Sequence, residues 1–185
     1  MHRLFHSTLA VLSIACLTAS FGALALGPAL AQGGAPPQLK QIALTQQQVD
    51  NLVASAKDME AVSKTLPQNA PPSAKAIGQL DVVAKKHGFA GYDDYNTVMG
   101  NVSLVMDGID PQTKKYIGSD AALKMQVEQV KANKQMSAAD KKQALANLDM
   151  ALKAKEPEVA NKGNIDLVLK NYDKIDAALG EQQQH

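Results

Sequence analysis

Histidine is scarce among the side chains that could bind a transition metal or haem. After residue 31 the sequence contains only His87 and, near its C-terminus, His185. A zinc or copper site of the ordinary type needs several such ligands close together, and no histidine pair exists to build one. His87 falls at the end of a predicted helix, where an imidazole can cap free carbonyl groups. We predict that capping role, and the alternative is a haem or copper ligand opposite Met99 or Met106.

Two small groups of carboxylates are the other candidates for chemistry. Asp93 and Asp94 lie at a predicted helix start, and Asp107 and Asp110 lie near a helix end. Asp is an ordinary cap or turn residue at such places, and a calcium loop requires more oxygen ligands at defined spacing. The motifs G-x-S-x-G, H-E-x-x-H, G-x-x-x-x-G-K-[ST] and G-x-G-x-x-G do not occur in the sequence. We therefore predict a protein that is not an enzyme and binds no cofactor.

The first residues have the order of a secretory signal peptide. Arg3 precedes an almost uninterrupted apolar run from Leu9 to Leu26, and Ala29-Leu30-Ala31 supplies the small residues of a cleavage site. We predict that residues 1–31 are removed and that the mature protein is periplasmic, without stable insertion in the membrane. The apolar run is near the lower length limit of a membrane span, so a retained N-terminal anchor is the alternative.

The composition after residue 31 excludes several kinds of site. Cys16 is the only cysteine and lies inside the apolar run, without the leucine expected three positions upstream of a lipidated cysteine. Disulfides, thiol catalysis and thiolate metal sites are therefore excluded from the mature protein. Arg3 is the only arginine, and the 18 lysines balance 18 acidic residues. Because the net charge is near zero and tryptophan is absent, the chain has no electrostatic footprint for nucleic acid.

Hydrophobic periodicity predicts an all-α fold. No Val-, Ile- or Thr-rich alternating run of strand length occurs, whereas apolar residues recur at helical spacing. We predict one domain at 44–179, a bundle of about five to six helices, between a flexible Gln-, Gly- and Pro-rich leader at 32–43 and a flexible tail at 180–185.

Caps, prolines and glycines set the bounds of the predicted helices. The first five run from Thr45 to about Pro67, from Ser73 to Gly88, from Tyr92 to Asp107, from Ser119 to about Lys134, and from Ser137 to about Lys155. The fourth and fifth are separated by two residues and should form an antiparallel hairpin. Asp110-Pro111 predicts a short helical turn that Gly118 ends. A last helix starts either at Pro157 or after Gly163.

The first helix opens with Leu44-Thr45-Gln46-Gln47-Gln48. Thr45 as N-cap with Gln48 three residues later is the pattern of a capping box. Leu44 with Val49 is the hydrophobic staple that accompanies such a box. These residues would complete a helix start without any ligand.

The same five residues match the L-T-x-x-Q pattern, and in this the chain resembles a family of bacterial periplasmic helical proteins that includes the stress chaperones Spy and CpxP. The resemblance implies a ligand-free helical cradle that holds unfolded envelope proteins on a shallow, partly apolar surface without ATP. The motif usually occurs twice in that family and occurs once in this chain.

Two functions are compatible with the sequence. The first is ATP-independent, chaperone-like binding of unfolded or envelope proteins, because the predicted hairpin has narrow apolar stripes that leave apolar area exposed. Met125, Met136 and Met150 would then lie nearest the client, since methionine suits adaptable surfaces. The alternative is a bundle that binds a small molecule, haem or metal between its helices, with His87 as the ligand.

Overall fold

The computed structural model describes residues 39–66, 73–154 and 157–180. The described part is predominantly helical, which confirms the all-α prediction. Within these residues, seven helices and one small sheet occur in this order: α1 (Gln46–Ser63), α2 (Ala74–Lys86), α3 (Tyr92–Met106), β1 (Ile109–Asp110), β2 (Lys115–Tyr116), α4 (Ser119–Ala132), α5 (Ala138–Ala154), α6 (Gly163–Lys170) and α7 (Tyr172–Gly180). The predicted signal peptide, residues 32–38 of the leader and residues 181–185 lie outside the described residues.

The ends of α2 follow from the capping residues in the sequence. Ser73 is the N-cap, and its Oγ accepts a hydrogen bond from the Ala76 backbone N–H at 3.2 Å. The helix ends at His87, and Gly88 has a φ of 85°. Glycine reaches this left-handed conformation without strain, so the chain turns there toward α3.

The hydrophobic core lies among α1, α2, α3, α6 and α7. α1 contacts α2, α3 and α7, and α3 also contacts α2 and α6. The largest fully buried apolar side chains of this core are Leu52, Ile175, Val49, Val98, Val102, Val105 and Val168. Over the described residues, no helix is both long enough and apolar enough to cross a membrane.

A β-hairpin occupies the segment where we predicted a short helical turn. β1 and β2 pair antiparallel, with Ile109 opposite Tyr116 and Asp110 opposite Lys115. The carboxylate of Asp110 accepts hydrogen bonds from the Gln112 backbone N–H at 3.0 Å and from the Thr113 hydroxyl. The prediction was wrong because an aspartate before proline initiates a tight turn as readily as it caps a helix.

The predicted last helix is two helices. Asn171 separates α6 from α7, and its side-chain Nδ2 donates a hydrogen bond to the Leu167 carbonyl at 2.8 Å. Asparagine competes in this way with the helical hydrogen-bond ladder, which accounts for the break. α6 begins at Gly163, so the later of the two predicted starts is correct. Val168 in α6 and Ile175 in α7 are fully buried in the core.

Residues 39–43 do not form the flexible leader that we predicted. They run against the core without helix or strand assignment, and Leu39 and Ile42 pack on it. The Ile42 backbone N–H donates a hydrogen bond to Asn101 Oδ1 at 3.0 Å. The prediction failed because it weighed the Gln, Gly and Pro content of the segment and took no account of polar partners in the core.

Candidate functional site

A glycine and two polar capping residues set the ends of the helices in the α4–α5 hairpin. α4 follows Gly118, which has a φ of 87°. The loop begins at Asn133, whose Oδ1 accepts hydrogen bonds from the backbone N–H groups of Gln135 at 2.8 Å and Met136 at 3.3 Å. Ser137 then caps α5, because its Oγ accepts from the Asp140 backbone N–H at 3.1 Å. The short loop packs α4 against α5, as predicted.

The apolar face of this hairpin is only partly covered. Ala122, in the first turn of α4, is the only buried residue of the two helices. The six leucine and valine side chains of the two helices are half-buried, and we call them the hairpin stripe: Leu123, Val127, Val130, Leu145, Leu148 and Leu152. None of the six belongs to the core cluster or packs against it. α4 contacts β1, and its main contact is α5.

The three methionines that we expected at a client surface do not form one patch. Met125 is half-buried in α4, Met136 is half-buried in the loop, and Met150 is 61% exposed in α5. Met150 is two residues from both Leu148 and Leu152, about 200° around the helix axis, so it points away from the hairpin stripe of α5. It is also about 18 Å along the axis from the loop end of α5. The side chains of the hairpin stripe recur at helical spacing in both helices, whereas the three methionines do not.

His87 lies in a contact between helices that the sequence did not predict. Its Nε2 is 2.8 Å from Asp58 Oδ2 in α1, and Lys86 Nζ is 2.7 Å from the same oxygen. The hydrogen bond from Lys86, and then the one from His87, lower the pKa of Asp58 from its usual 3.8. This arrangement ties the end of α2 to α1. The described residues contain no group of three or more His, Cys, Asp or Glu side chains placed to hold a metal ion.

An aromatic cluster joins α2 to α3. Phe89 is buried and meets the ring of Tyr95 edge-on, with centroids 5.4 Å apart. Tyr92 stacks on Tyr95 at 6.1 Å. Burial, followed by the charge of Tyr92, raises the pKa of Tyr95 to about 12. These contacts give the three rings a packing role.

The L-T-x-x-Q residues build the start of α1 as a capping box. Thr45 Oγ1 accepts a hydrogen bond from the Gln48 backbone N–H at 3.2 Å, and Gln48 Oε1 accepts one from the Thr45 backbone N–H at 2.9 Å. Val49 is buried, and Leu44 packs against the same core. The capping-box interpretation is therefore confirmed, and these side chains stabilise the helix start.

Three buried asparagines were missed by the sequence analysis. Asn101, Asn164 and Asn171 are between 1% and 4% exposed. Each makes hydrogen bonds with residues 40–46. The sequence did contain a sign of this role. All three asparagines occur at positions that the hydrophobic periodicity places facing the core, where a buried amide requires partners.

No family model, curated protein or solved structure matches the chain. The resemblance to the L-T-x-x-Q family therefore rests on its five residues. Those residues have a structural role at the start of α1, as described above.

Proposed function

We propose that the protein is an exported periplasmic binding protein without enzymatic activity, which acts as an ATP-independent chaperone for unfolded envelope proteins. The α4–α5 hairpin is the surface that receives the client. One observation carries this proposal: the hairpin stripe lies outside the core that the other helices complete among themselves. Intact mass of the exported protein tests the location, and the expected N-terminus is Gln32. Retention of residues 1–31 or a lipid on Cys16 would contradict it.

Two helices packed only on each other cannot fully cover their apolar faces. An apolar segment laid along the hairpin stripe would bury side chains that now keep part of their surface in water. Burying the exposed part of each such side chain contributes on the order of 1 kcal/mol. Ordering of the client and of the side chains opposes this gain, so the net affinity is modest. Modest affinity permits release without ATP.

Exposed ion pairs flank the hairpin stripe. Lys131 and Glu128 are 2.8 Å apart in α4, and Lys153 and Asp149 are 2.7 Å apart in α5. Such pairs contribute little to stability because solvent screens them. They keep a polar rim beside the apolar surface, as in other reversible interfaces.

Light scattering of an aggregating client tests the proposal. An excess of the protein at low salt should reduce the scattering of a chemically unfolded client after dilution. Leu148→Asn, in the hairpin stripe, should weaken this effect. Ala146→Asn introduces the same residue at an exposed position of the same helix and should not. Circular dichroism must show unchanged helix content for both variants.

Two results would contradict the proposal. One is unchanged client scattering with an excess of the wild-type protein. The other is an equal loss of suppression in the Leu148→Asn and Ala146→Asn variants, because the hairpin stripe would then have no special part in binding.

A further inference from the structure

Residues 39–44, which we call the strap, are held by side chains that contact their backbone. Asn101, in α3, makes two of these contacts. Its Oδ1 accepts a hydrogen bond from the Ile42 N–H at 3.0 Å, and its Nδ2 donates to the Lys40 carbonyl at 2.9 Å. Asn101 is 1% exposed, so these atoms lie in the protein interior.

Asn164, in α6, makes the same pair of contacts two residues further along the strap. Its Oδ1 accepts from the Leu44 N–H at 2.8 Å, and its Nδ2 donates to the Ile42 carbonyl at 2.8 Å. In an extended chain, the N–H and C=O groups of one residue point to the same edge of the chain. The N–H and C=O groups of the residue two positions further along point to that edge as well. The two asparagines therefore bind one edge of the strap as a neighbouring strand would.

These four hydrogen bonds involve only backbone atoms of the strap, so they accept almost any residue except proline at positions 42 and 44. Any preference of the groove for particular residues comes from the side chains of the bound segment that face the core. Leu39, Ile42 and Leu44 pack against the core, whereas Lys40 and Ala43 are exposed. The groove therefore suits an extended segment with apolar residues at the positions of Ile42 and Leu44, which share one face of an extended chain.

A glycine in α3 makes room for the strap. A Cβ atom on Gly100 would lie 2.6 Å from Leu39 Cδ1, closer than carbon atoms can approach. Glycine within a helix is less favourable than alanine by about 1 kcal/mol. Glycine at this position therefore allows Leu39 to pack closely on the backbone of α3.

The side chain of Gln41 adds a contact with the segment before α6. Its Nε2 donates to the Glu158 carbonyl at 2.8 Å, and its Oε1 accepts from the Ala160 N–H at 2.7 Å. A glutamine at this position of a bound segment would be favoured.

A shallow open depression continues beside the strap, and Leu44, Asn164 and Leu167 are among the residues that line it.

We propose that this groove is a binding site for extended polypeptide segments, which the protein fills with its own strap. The site is separate from the hairpin stripe and goes beyond the chaperone function proposed above. When the strap leaves, Asn164 and the Oδ1 atom of Asn101 lose their partners in the strap, and a polar group left unpaired in the interior is unfavourable. The vacated groove therefore favours another backbone of the same extended form. Because the strap is tethered, its effective concentration is high, and a free peptide binds only when the strap is weakened.

Peptide binding to the full-length mature chain tests this. Gln41→Ala with Ile42→Pro weakens the strap, because proline removes the N–H that Asn101 accepts while tolerating an extended backbone. A labelled peptide with the sequence of residues 38–45 should bind this strap variant, as measured by fluorescence anisotropy, and should not bind the wild-type protein. Adding Asn164→Leu to the strap variant should weaken binding by about ten-fold or more.

The controls separate this site from the hairpin. A peptide with proline at the positions of Ile42 and Leu44 should not bind the strap variant. Adding Leu148→Asn should leave peptide binding unchanged, even if it removes chaperone activity. A strap variant with wild-type circular dichroism that binds no peptide would overturn the proposal, and so would binding that is insensitive to Asn164→Leu.

Hydrogen exchange of the wild-type protein gives a second test that needs no variant. If the strap opens without unfolding of the helices, the Ile42 and Leu44 amides should be at least about ten-fold less protected than that of Leu52 in the core. Equal protection would mean that the groove opens only on global unfolding, and it would also overturn the proposal.

Discussion

The side-chain amides of Gln46 and Asn171 form a reciprocal pair between α1 and the junction of α6 and α7. Gln46 Nε2 donates to Asn171 Oδ1 at 3.0 Å, and Asn171 Nδ2 donates to Gln46 Oε1 at 3.2 Å. Asn171 is only 4% exposed. The pair therefore links the first turn of α1 to the break that separates the last two helices.

Substitution of this pair should reveal a strong coupling. Asn171→Ala should lower the free energy of unfolding by about 1–3 kcal/mol, because it removes both hydrogen bonds to the Gln46 side chain and the one to the Leu167 carbonyl at a buried position, although Gln46 Nε2 keeps its bond to Asp50. Gln46→Ala should have a smaller effect, since water can reach part of that site. Urea unfolding of both single variants and the double variant should show non-additivity of at least about 0.5 kcal/mol. Lys174→Ala, an exposed change in α7, is the control, and additive effects would contradict the coupling.

Thr45→Ala should lower stability by about 1 kcal/mol, because the Gln48 backbone N–H loses its acceptor at the start of α1. Gln47→Ala is a matched control, since Gln47 is exposed and its side chain bonds to Asn51 within the same helix. Thermal melts of the two variants provide the measurement. A Thr45→Ala variant of unchanged stability that no longer suppresses client aggregation would favour a binding role for the motif.

Replacing two glycines by alanine should change the stability of the protein in opposite directions. A Cβ atom on Gly108 would overlap the Tyr116 ring, so Gly108→Ala must shift that ring. We expect it to destabilise the protein by about 1–3 kcal/mol. Gly78 lies in α2, where an added Cβ atom would have no neighbouring atom within 4 Å. Gly78→Ala should stabilise by about 0.4–1 kcal/mol, and urea unfolding of both variants checks the signs.

Alkaline pH should destabilise the protein through Tyr95. Its pKa rises from 10.0 to about 12 on folding, so the folded state favours the neutral phenol. This contribution is fully present below pH 10 and is lost as the pH rises toward 12, because the unfolded chain ionises first. The two-unit difference corresponds to roughly 2–3 kcal/mol at most.

Comparison with Tyr95→Phe isolates this effect. Stability measured by urea unfolding between about pH 9 and pH 12 should fall more steeply for the wild-type protein than for the variant. All other ionisable groups are the same in the two proteins, so their effects largely cancel in the difference. Parallel pH profiles would show that the Tyr95 phenol is not shifted by folding.

The sequence was most informative where a short-range rule decides the structure. Thr45 and Ser73 were placed correctly at helix starts and Gly88 at a helix end, because each of these positions depends on the nearest few residues. The hairpin at Asp110 was missed because local turn chemistry and helix capping use the same residue types.

The strap could not be predicted in the same way. Its binding depends on Asn101 and Asn164, which are 59 or more residues away along the chain. Periodicity shows that these asparagines stand at core-facing positions, but it does not show which backbone they meet. Composition alone made residues 39–43 look like a linker.

The hairpin of α4 and α5 can change in length independently of the rest of the protein. Its helices contribute no large side chain to the core, so paired insertions or deletions can change its length without repacking the interior. Two helical turns added to each helix would extend the hairpin by about 11 Å. The distance by which its apolar surface extends from the other helices can therefore change without any change in the core.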